Sequence, residues 1–358
     1  MFESIKRARK RSRLLQLLFV SLLSLFVFFV FWGMRDAPDR EGSSPVSVGF
    51  YHWKTFFEAS KSEELVRTAF GDAEIYLRLF DVVKDEKGGV VPVATVIFRE
   101  KPTLPVVPVI YIDNDALSQV PAQEVDLLAD KITGRVKKIL DDNRLNYRNE
   151  VQFDCDWTPS TQDRFFALLK RVRVNLPEWT LSATLRLHQL RYPEKTGVPP
   201  VDRACLMAYN MGELRTYGDR NSILDTEVAA RYLKGAPYPL SLDVALPIFS
   251  WTVVFDEKEN YQRLLRKIPE ALNDPKQFKP MGRFLYRVIK DQSEGGGDIT
   301  AGSIIRVEQS KKEDLRALAR LIARSHIKPG AVLFYHLDDE LIKGIGIDEI
   351  KEIVGFFR

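Results

Sequence analysis

The sequence predicts an α/β fold: a parallel (β/α)8 barrel, or TIM barrel, preceded by one N-terminal transmembrane helix. Three observations carry this. Eight short apolar runs rich in β-branched residues recur between residues 46 and 337, longer amphipathic segments separate most of them, and 358 residues with 45% hydrophobic side chains suffice for one large domain with appendages.

The chain begins with a basic segment, residues 1–13, in which Lys6, Arg7, Arg9, Lys10, Arg11 and Arg13 outnumber Glu3. The next run, LLQLLFVSLLSLFVFFVFW at residues 14–32, is interrupted only by Gln16, Ser21 and Ser24. A run of that length crosses a hydrocarbon core of about 30 Å as a helix. It is apolar on every face, unlike an amphipathic core helix, and no small-residue cleavage pattern follows it. Residues 1–35 therefore read as an uncleaved anchor at the cell membrane, and 36–45 as a linker. Positive residues stay in the cytoplasm, so residues 46–358 are expected outside it, in the periplasm or extracellularly.

The formal net charge of +4 belongs to that first segment. Removing its six basic residues and Glu3 from the 53 basic and 49 acidic residues leaves 47 against 48. A folded part so nearly neutral lacks the basic surface that a phosphate backbone demands, and nucleic acid is excluded as a partner.

Strands are predicted at 46–51, 74–80, 106–112, 150–156, 180–187, 203–209, 240–249 and 331–337, each a short run bounded by turn residues. Helical spacing appears at 56–69, 121–142, 160–174, 222–234, 259–272, 312–325 and 339–356. Two places depart from a simple barrel. VPVATVIF at 91–98 reads as a hairpin insertion near residues 88–100, and residues 273–311, with SEGGGD, form a long excursion between the seventh and eighth strands without a clean period. The two cysteines, Cys155 and Cys205, are expected as buried free thiols facing away from the barrel axis.

In a barrel, alternate strand residues point to the axis and reactive groups gather at the C-terminal strand ends. In EVQFDCDWTPSTQDRF, residues 150–165, the side chains of Gln152, Asp154 and Asp156 share one parity and line the mouth, while Phe153, Cys155 and Trp157 face the helices. Two carboxyl groups so placed suit glycoside chemistry, one protonated to donate to the leaving oxygen and the other charged to raise its partner's pKa. The plainer reading is that they cap the next helix or are solvated at the rim. Tyr51, Trp53, Arg186 and Trp251 are further rim candidates, and for each aromatic residue core packing is the plain alternative.

Other strand ends add to this. CLMAYN at 205–210, VALPIFSW at 244–251 and GAVLFYHLDDE at 330–340 resemble, in that order, the M-x-Y-D, G-L-P-x-Y and G-x-M-x-W-x-x-D strand ends of family 18 glycoside hydrolases, the chitinase-like enzymes. The fourth strand resembles their D-x-x-D-x-D-x-E signature. Residues 150–185 resemble more closely an uncharacterised bacterial family, domain of unknown function 3142.

The resemblance implies a chitinase-like barrel acting on a carbohydrate without a cofactor. Tyr209 would meet the substrate, Tyr335 would stack beneath a sugar ring, and Asn210 would stand where the family carries Asp. The family's acid Glu falls on Thr158 if the Trp residues are matched, and on Asp156 if the strand starts are matched. The second register leaves a proton donor, with Asp156 as general acid, Asp154 as its supporting carboxylate and Gln152 as the outermost member. Asp is one methylene shorter than Glu, and a shift of about 1 Å in such a group can cost heavily in rate. A barrel that binds glycan or serves as an envelope scaffold without cleaving anything is the competing expectation.

Other chemistries lack their signatures. His52, His188 and His336 lie near strand ends but form no H-x-H or H-E-x-x-H, so no metal is expected. There is no G-x-S-x-G elbow, no G-x-G-x-x-G after the first strand, and SEGGGD lacks the Lys-Ser/Thr of a phosphate loop.

Overall fold

A computed structural model describes residues 46–358 except 59, 87, 236, 295 and 296. The expected anchor and linker, residues 1–45, lie outside the described residues. Among the described residues, no helix is long and apolar enough to cross a membrane.

Eight strands close into a parallel barrel: β1 (Ser47–His52), β2 (Glu74–Lys84), β3 (Val106–Ile112), β4 (Glu150–Asp154), β5 (Thr180–Arg186), β6 (Arg203–Met207), β7 (Ser241–Pro247) and β8 (Ala331–Tyr335). Each pairs with its sequence neighbours, and β1 pairs with both β8 and β2, which closes the ring. No strand in the ring is left with a free edge. The expected strand centres all recur; β2 runs four residues past its expected end, and Val90–Val93 folds back antiparallel on that extension.

Helices begin where the sequence supplies acceptors for orphan N–H groups. Ser60 caps Lys61–Phe70, Asp113 caps Asn114–Gln119, Asp225 caps Thr226–Leu233 and Asp338 caps Asp339–Ile345. In Gln162–Asn175 the buried residues are Phe165, Leu168, Leu169 and Val172, the spacing of one helical stripe laid on the sheet. The β5–β6 crossover is different. It carries only two short helices, Leu187–Arg191 and Pro193–Thr196, where neighbouring crossovers carry longer ones.

Apolar side chains form an outer core between strands and helices, including Phe153, Cys155 and Trp157. A separate inner core fills the barrel with Tyr51, Tyr76, Val107, Cys205, Met207, Tyr209 and Leu333. Both cysteines are buried free thiols. Cys155 faces the helices as expected, but Cys205 faces the interior, where the Tyr51 hydroxyl lies 3.5 Å from its sulfur. The reason is parity: Cys205 and Met207 are two residues apart along β6 and so share the inner face. Gly49 belongs to the interior too, since a Cβ there would meet the Tyr76 ring at 2.9 Å.

The floor of the barrel, at the N-terminal strand ends, is closed by charge. Arg203 pairs with Glu150 and lies 3.3 Å from Asp243 and 3.3 Å from the Tyr76 hydroxyl. Ser182 donates to Glu150 at 2.8 Å, and the Ala331 N–H donates to Asp243 at 2.8 Å. Burial pushes the Glu150 carboxyl upward and that of Asp243 up to about 6, against the pull of Arg203.

Between β7 and β8 a five-stranded antiparallel sheet is built from Ser250–Phe255, Tyr261–Leu265, Phe278–Pro280, Leu285–Val288 and Ile304–Gln309. It begins two residues after β7, earlier than the excursion expected at 273–311. The helix expected over 259–272 is instead the strand Tyr261–Leu265, antiparallel to Ser250–Phe255. The turn between them decides this. Asp256 accepts from the backbone N–H groups of Lys258 and Asn260, and Glu259 takes a left-handed φ of 66°, which sends the chain back along the β-branched run WTVVF.

Candidate functional site

The starts of β4 and β5 are in register, with Glu150 beside Thr180 and Gln152 beside Ser182. Continuing by twos sets Asp154 opposite Thr184 and Asp156 opposite Arg186. The side chains follow that register. Gln152 is fully buried, accepts from the Tyr51 hydroxyl at 2.6 Å and reaches Ser182 at 3.5 Å. Asp154 accepts from the Thr184 hydroxyl at 2.6 Å. Asp156 has emerged into solvent, its side chain 52% exposed, and both of its oxygens accept from Arg186, at 2.6 and 2.8 Å.

A cleft of about 410 Å³ opens here, lined by Asp156, Thr158, Arg186, His188, Tyr209 and Asn210 among others. Four of the sequence candidates, Asp156, Arg186, Tyr209 and Asn210, are thus brought to one wall. Asp154, Gln152 and Tyr51 lie beneath it in the barrel. Trp53 and Tyr335 stand beside it in an aromatic cluster, with Tyr335 5.7 Å from Tyr209 and 5.9 Å from Trp53 between ring centroids. The peptide bond following Tyr335 is cis. Trp251 is not in the cleft. It starts the additional sheet opposite Glu308, its ring 5.2 Å from Phe249.

The two carboxyl groups differ sharply. Burial pushes Asp154 up to about 6, with Arg186 pulling it down and Asp156 pushing it up again. Asp156 spends both acceptor oxygens on a planar guanidinium, the strong bidentate arrangement. Burial also drives the Tyr209 phenol well above its ordinary range. Two polar atoms here have no hydrogen-bond partner among the described residues, the Tyr209 hydroxyl and Arg186 Nη1. Both atoms are enclosed by protein, and leaving such a group unpaired costs about 1–3 kcal/mol.

The register ambiguity of the fourth strand takes physical form. Trp157 packs outward, its indole N–H donating to Thr196 O at 2.8 Å and its ring stacked on Phe165 at 5.2 Å. Asp156 and Thr158, on either side, both line the cleft. The hydroxyl of Thr158 lies 2.9 Å from Ser160 Oγ.

The loop after β6 is held from an unexpected direction. Asn210 has a φ of 54°, a conformation its short amide side chain tolerates, and the backbone N–H groups of Asn210 and Met211 donate to Ile223 and Ser222. Ser222 in turn donates through N–H and hydroxyl to Glu308, at 2.6 Å each. Arg306 pairs with Glu308 at 2.6 Å and donates to the carbonyls of Thr216 and Leu214. Both charged residues are fully buried. The additional sheet therefore braces the loop that carries Asn210.

Sequence reasoning passed over Thr184, Met211 and Tyr232. The alignment of the β4 and β5 starts was the available signal for Thr184 and for the Asp156–Arg186 pair; Tyr232 arrives from a distant helix and had none. The histidines are separate from one another in role. His52 is buried, hydrogen-bonded at 3.1 Å to Phe56 O and held down to about 4 by burial, whereas His188 lines the cleft.

The eight strands form a closed parallel α/β barrel, the TIM-barrel architecture. No family model and no curated protein sequence matches the chain. Among solved structures it is similar to the spore cortex-lytic enzyme SleL of Bacillus megaterium, at 12% identity and a TM-score of 0.50, covering 86% of this chain and 75% of that one. It is also similar to SleL of Bacillus cereus, at 13% identity and a TM-score of 0.49, covering 87% and 74%. A chitinase from Bacteroides thetaiotaomicron matches at 10% identity and a TM-score of 0.49, over 87% and 96%. At these identities the likeness concerns the fold.

Proposed function

We propose that this protein is a glycan-binding barrel that holds an oligosaccharide at its mouth without cleaving it, tethered to the cell membrane through residues 14–32 and facing the extracytoplasmic side. It would be a member of the uncharacterised bacterial family 3142 that residues 150–185 resemble. The observation that carries the reading is the bidentate Asp156–Arg186 pair in the cleft. A general acid must present a proton to the glycosidic oxygen, and here the only carboxyl group lining the cleft among the described residues gives both oxygens to a guanidinium. The same pair, with the flanking Tyr335 and Trp53 rings, is a suitable surface for sugar hydroxyls and pyranose faces.

The test is a glycan array on the full chain in detergent, followed by product analysis on every hit. Binding without new reducing ends is expected, weakened roughly tenfold or more in Arg186→Ala. A second reading, hydrolysis, is favoured by the Asp154 carboxyl, which at about 6 is partly protonated near neutral pH beside Asp156. Sugar release by the wild type that disappears in Asp156→Asn would replace the binding reading with that one. Deleting residues 1–35 is expected to move the protein from the membrane fraction to the soluble fraction.

A further inference from the structure

Beside the β5–β6 crossover, which has two short helices where its neighbours have longer ones, lies a cavity of about 520 Å³. It lies between the Leu187–Arg191 helix, the end of the Thr226–Leu233 helix and the corner at 325–328 that leads into β8. It is separate from the mouth cleft, yet the two share a wall. Tyr232 lines both, and the Leu187–Arg191 helix spans them, with His188 in the mouth and Arg191 in the flank.

The flank is basic and aromatic. Arg191, Lys234 and Lys328 line it against the one carboxylate of Glu194, and none of the three makes an ion pair among the described residues. Arg191 lies across Gly235, where a Cβ would come within 2.3 Å of its Nη1, so the glycine leaves room for the guanidinium. Tyr232 and Tyr238 provide ring faces. A ligand with negative groups and hydroxyl-bearing rings satisfies all of these at once.

We propose that the flank cavity is a second subsite, and that the ligand is an acidic oligosaccharide running from the mouth cleft past Tyr232 onto Arg191, Lys234 and Lys328. This rests on the glycan-binding reading of the mouth and names the substrate class for it. Arg186 at the mouth is already neutralised by Asp156, so discrimination for charge resides in the flank.

The probes are hexagalacturonate and its fully methyl-esterified counterpart, titrated calorimetrically against the full chain. The wild type is expected to bind the acid roughly tenfold or more tightly than the ester, and the Lys234→Glu/Lys328→Glu variant to lose that preference while binding the ester as the wild type does. Retained ester binding shows that the variant is folded. A preference that survives in the variant, or no preference in the wild type, overturns the flank subsite. Arg186→Ala separates the two proposals: ester binding unchanged in that variant sinks the mouth reading, while a charge preference still removed by the lysine substitutions keeps the flank site.

Discussion

Two of the barrel's arginine–carboxylate clusters, one at each end, are built to opposite specifications. At the floor, Arg203 faces Glu150 and Asp243 in the interior, both carboxylates under a tenth exposed and further held by Ser182 and the Ala331 N–H. At the mouth, Arg186 faces an Asp156 that is half in solvent, and Arg186 Nη1 and the Tyr209 hydroxyl are left over. Charges at the floor have nowhere else to go, so their pairing is a condition of folding. At the mouth the Asp156 carboxylate is already hydrated, so its pairing contributes little to stability and its fixed geometry is free to serve a ligand.

Arg203→Leu gives the largest expected contrast. It strands two buried carboxylates and should lower unfolding free energy by about 3–5 kcal/mol in a urea titration. Glycan binding per folded molecule should be unaltered. A loss below about 1 kcal/mol would mean that water reaches the floor and that the two ends are alike.

The next effect is in pH dependence. Asp154 and Asp243 both have folded values raised from 3.8 to about 6, chiefly by burial. Each binds its proton more tightly when folded. The stability each contributes is fully present below the unfolded value of 3.8 and is lost as pH rises through about 6. At about 1.36 kcal/mol per unit, Asp154→Asn should abolish roughly 2–3 kcal/mol of that decline, read as a flatter midpoint between pH 4 and pH 7. An unchanged slope would relocate the Asp154 carboxyl to solvent.

Arg186→Ala should change stability by no more than about 1 kcal/mol, because its partner is exposed, while weakening glycan binding as proposed above. A loss as large as that of Arg203→Leu would make the mouth pair a structural one. The smallest effect belongs to Tyr209→Phe. The hydroxyl has no partner among the described residues, so its removal should leave the melting temperature unchanged or slightly higher, yet reduce glycan affinity by a few-fold. Equal affinity would take the phenol out of the site.

The same contrast explains what could be read from the chain. The barrel was legible because β-branched runs and amphipathic helices carry their own periods, and parity alone placed Gln152 and Asp154 inside with Phe153 and Trp157 outside. Pairing needs more, since it depends on which strands are neighbours. Asp156 and Arg186 were each named as rim residues, but their contact follows only from the β4–β5 register. Arg203, Glu150 and Asp243 come from three strands far apart in sequence, and nothing local marks them as a cluster. At 259–272 the local signal pointed to a helix, while the partner strand Ser250–Phe255 imposed an extended backbone.

Ring closure through β1 and β8 has a bearing on biosynthesis. Ser47 lies beside Ala331, so the first strand waits for nearly the last before its second neighbour exists. Until the ribosome releases the C-terminal segment, β1 and β7 each expose an unpaired ladder, and a nascent chain stalled before β8 offers two sticky borders to other chains.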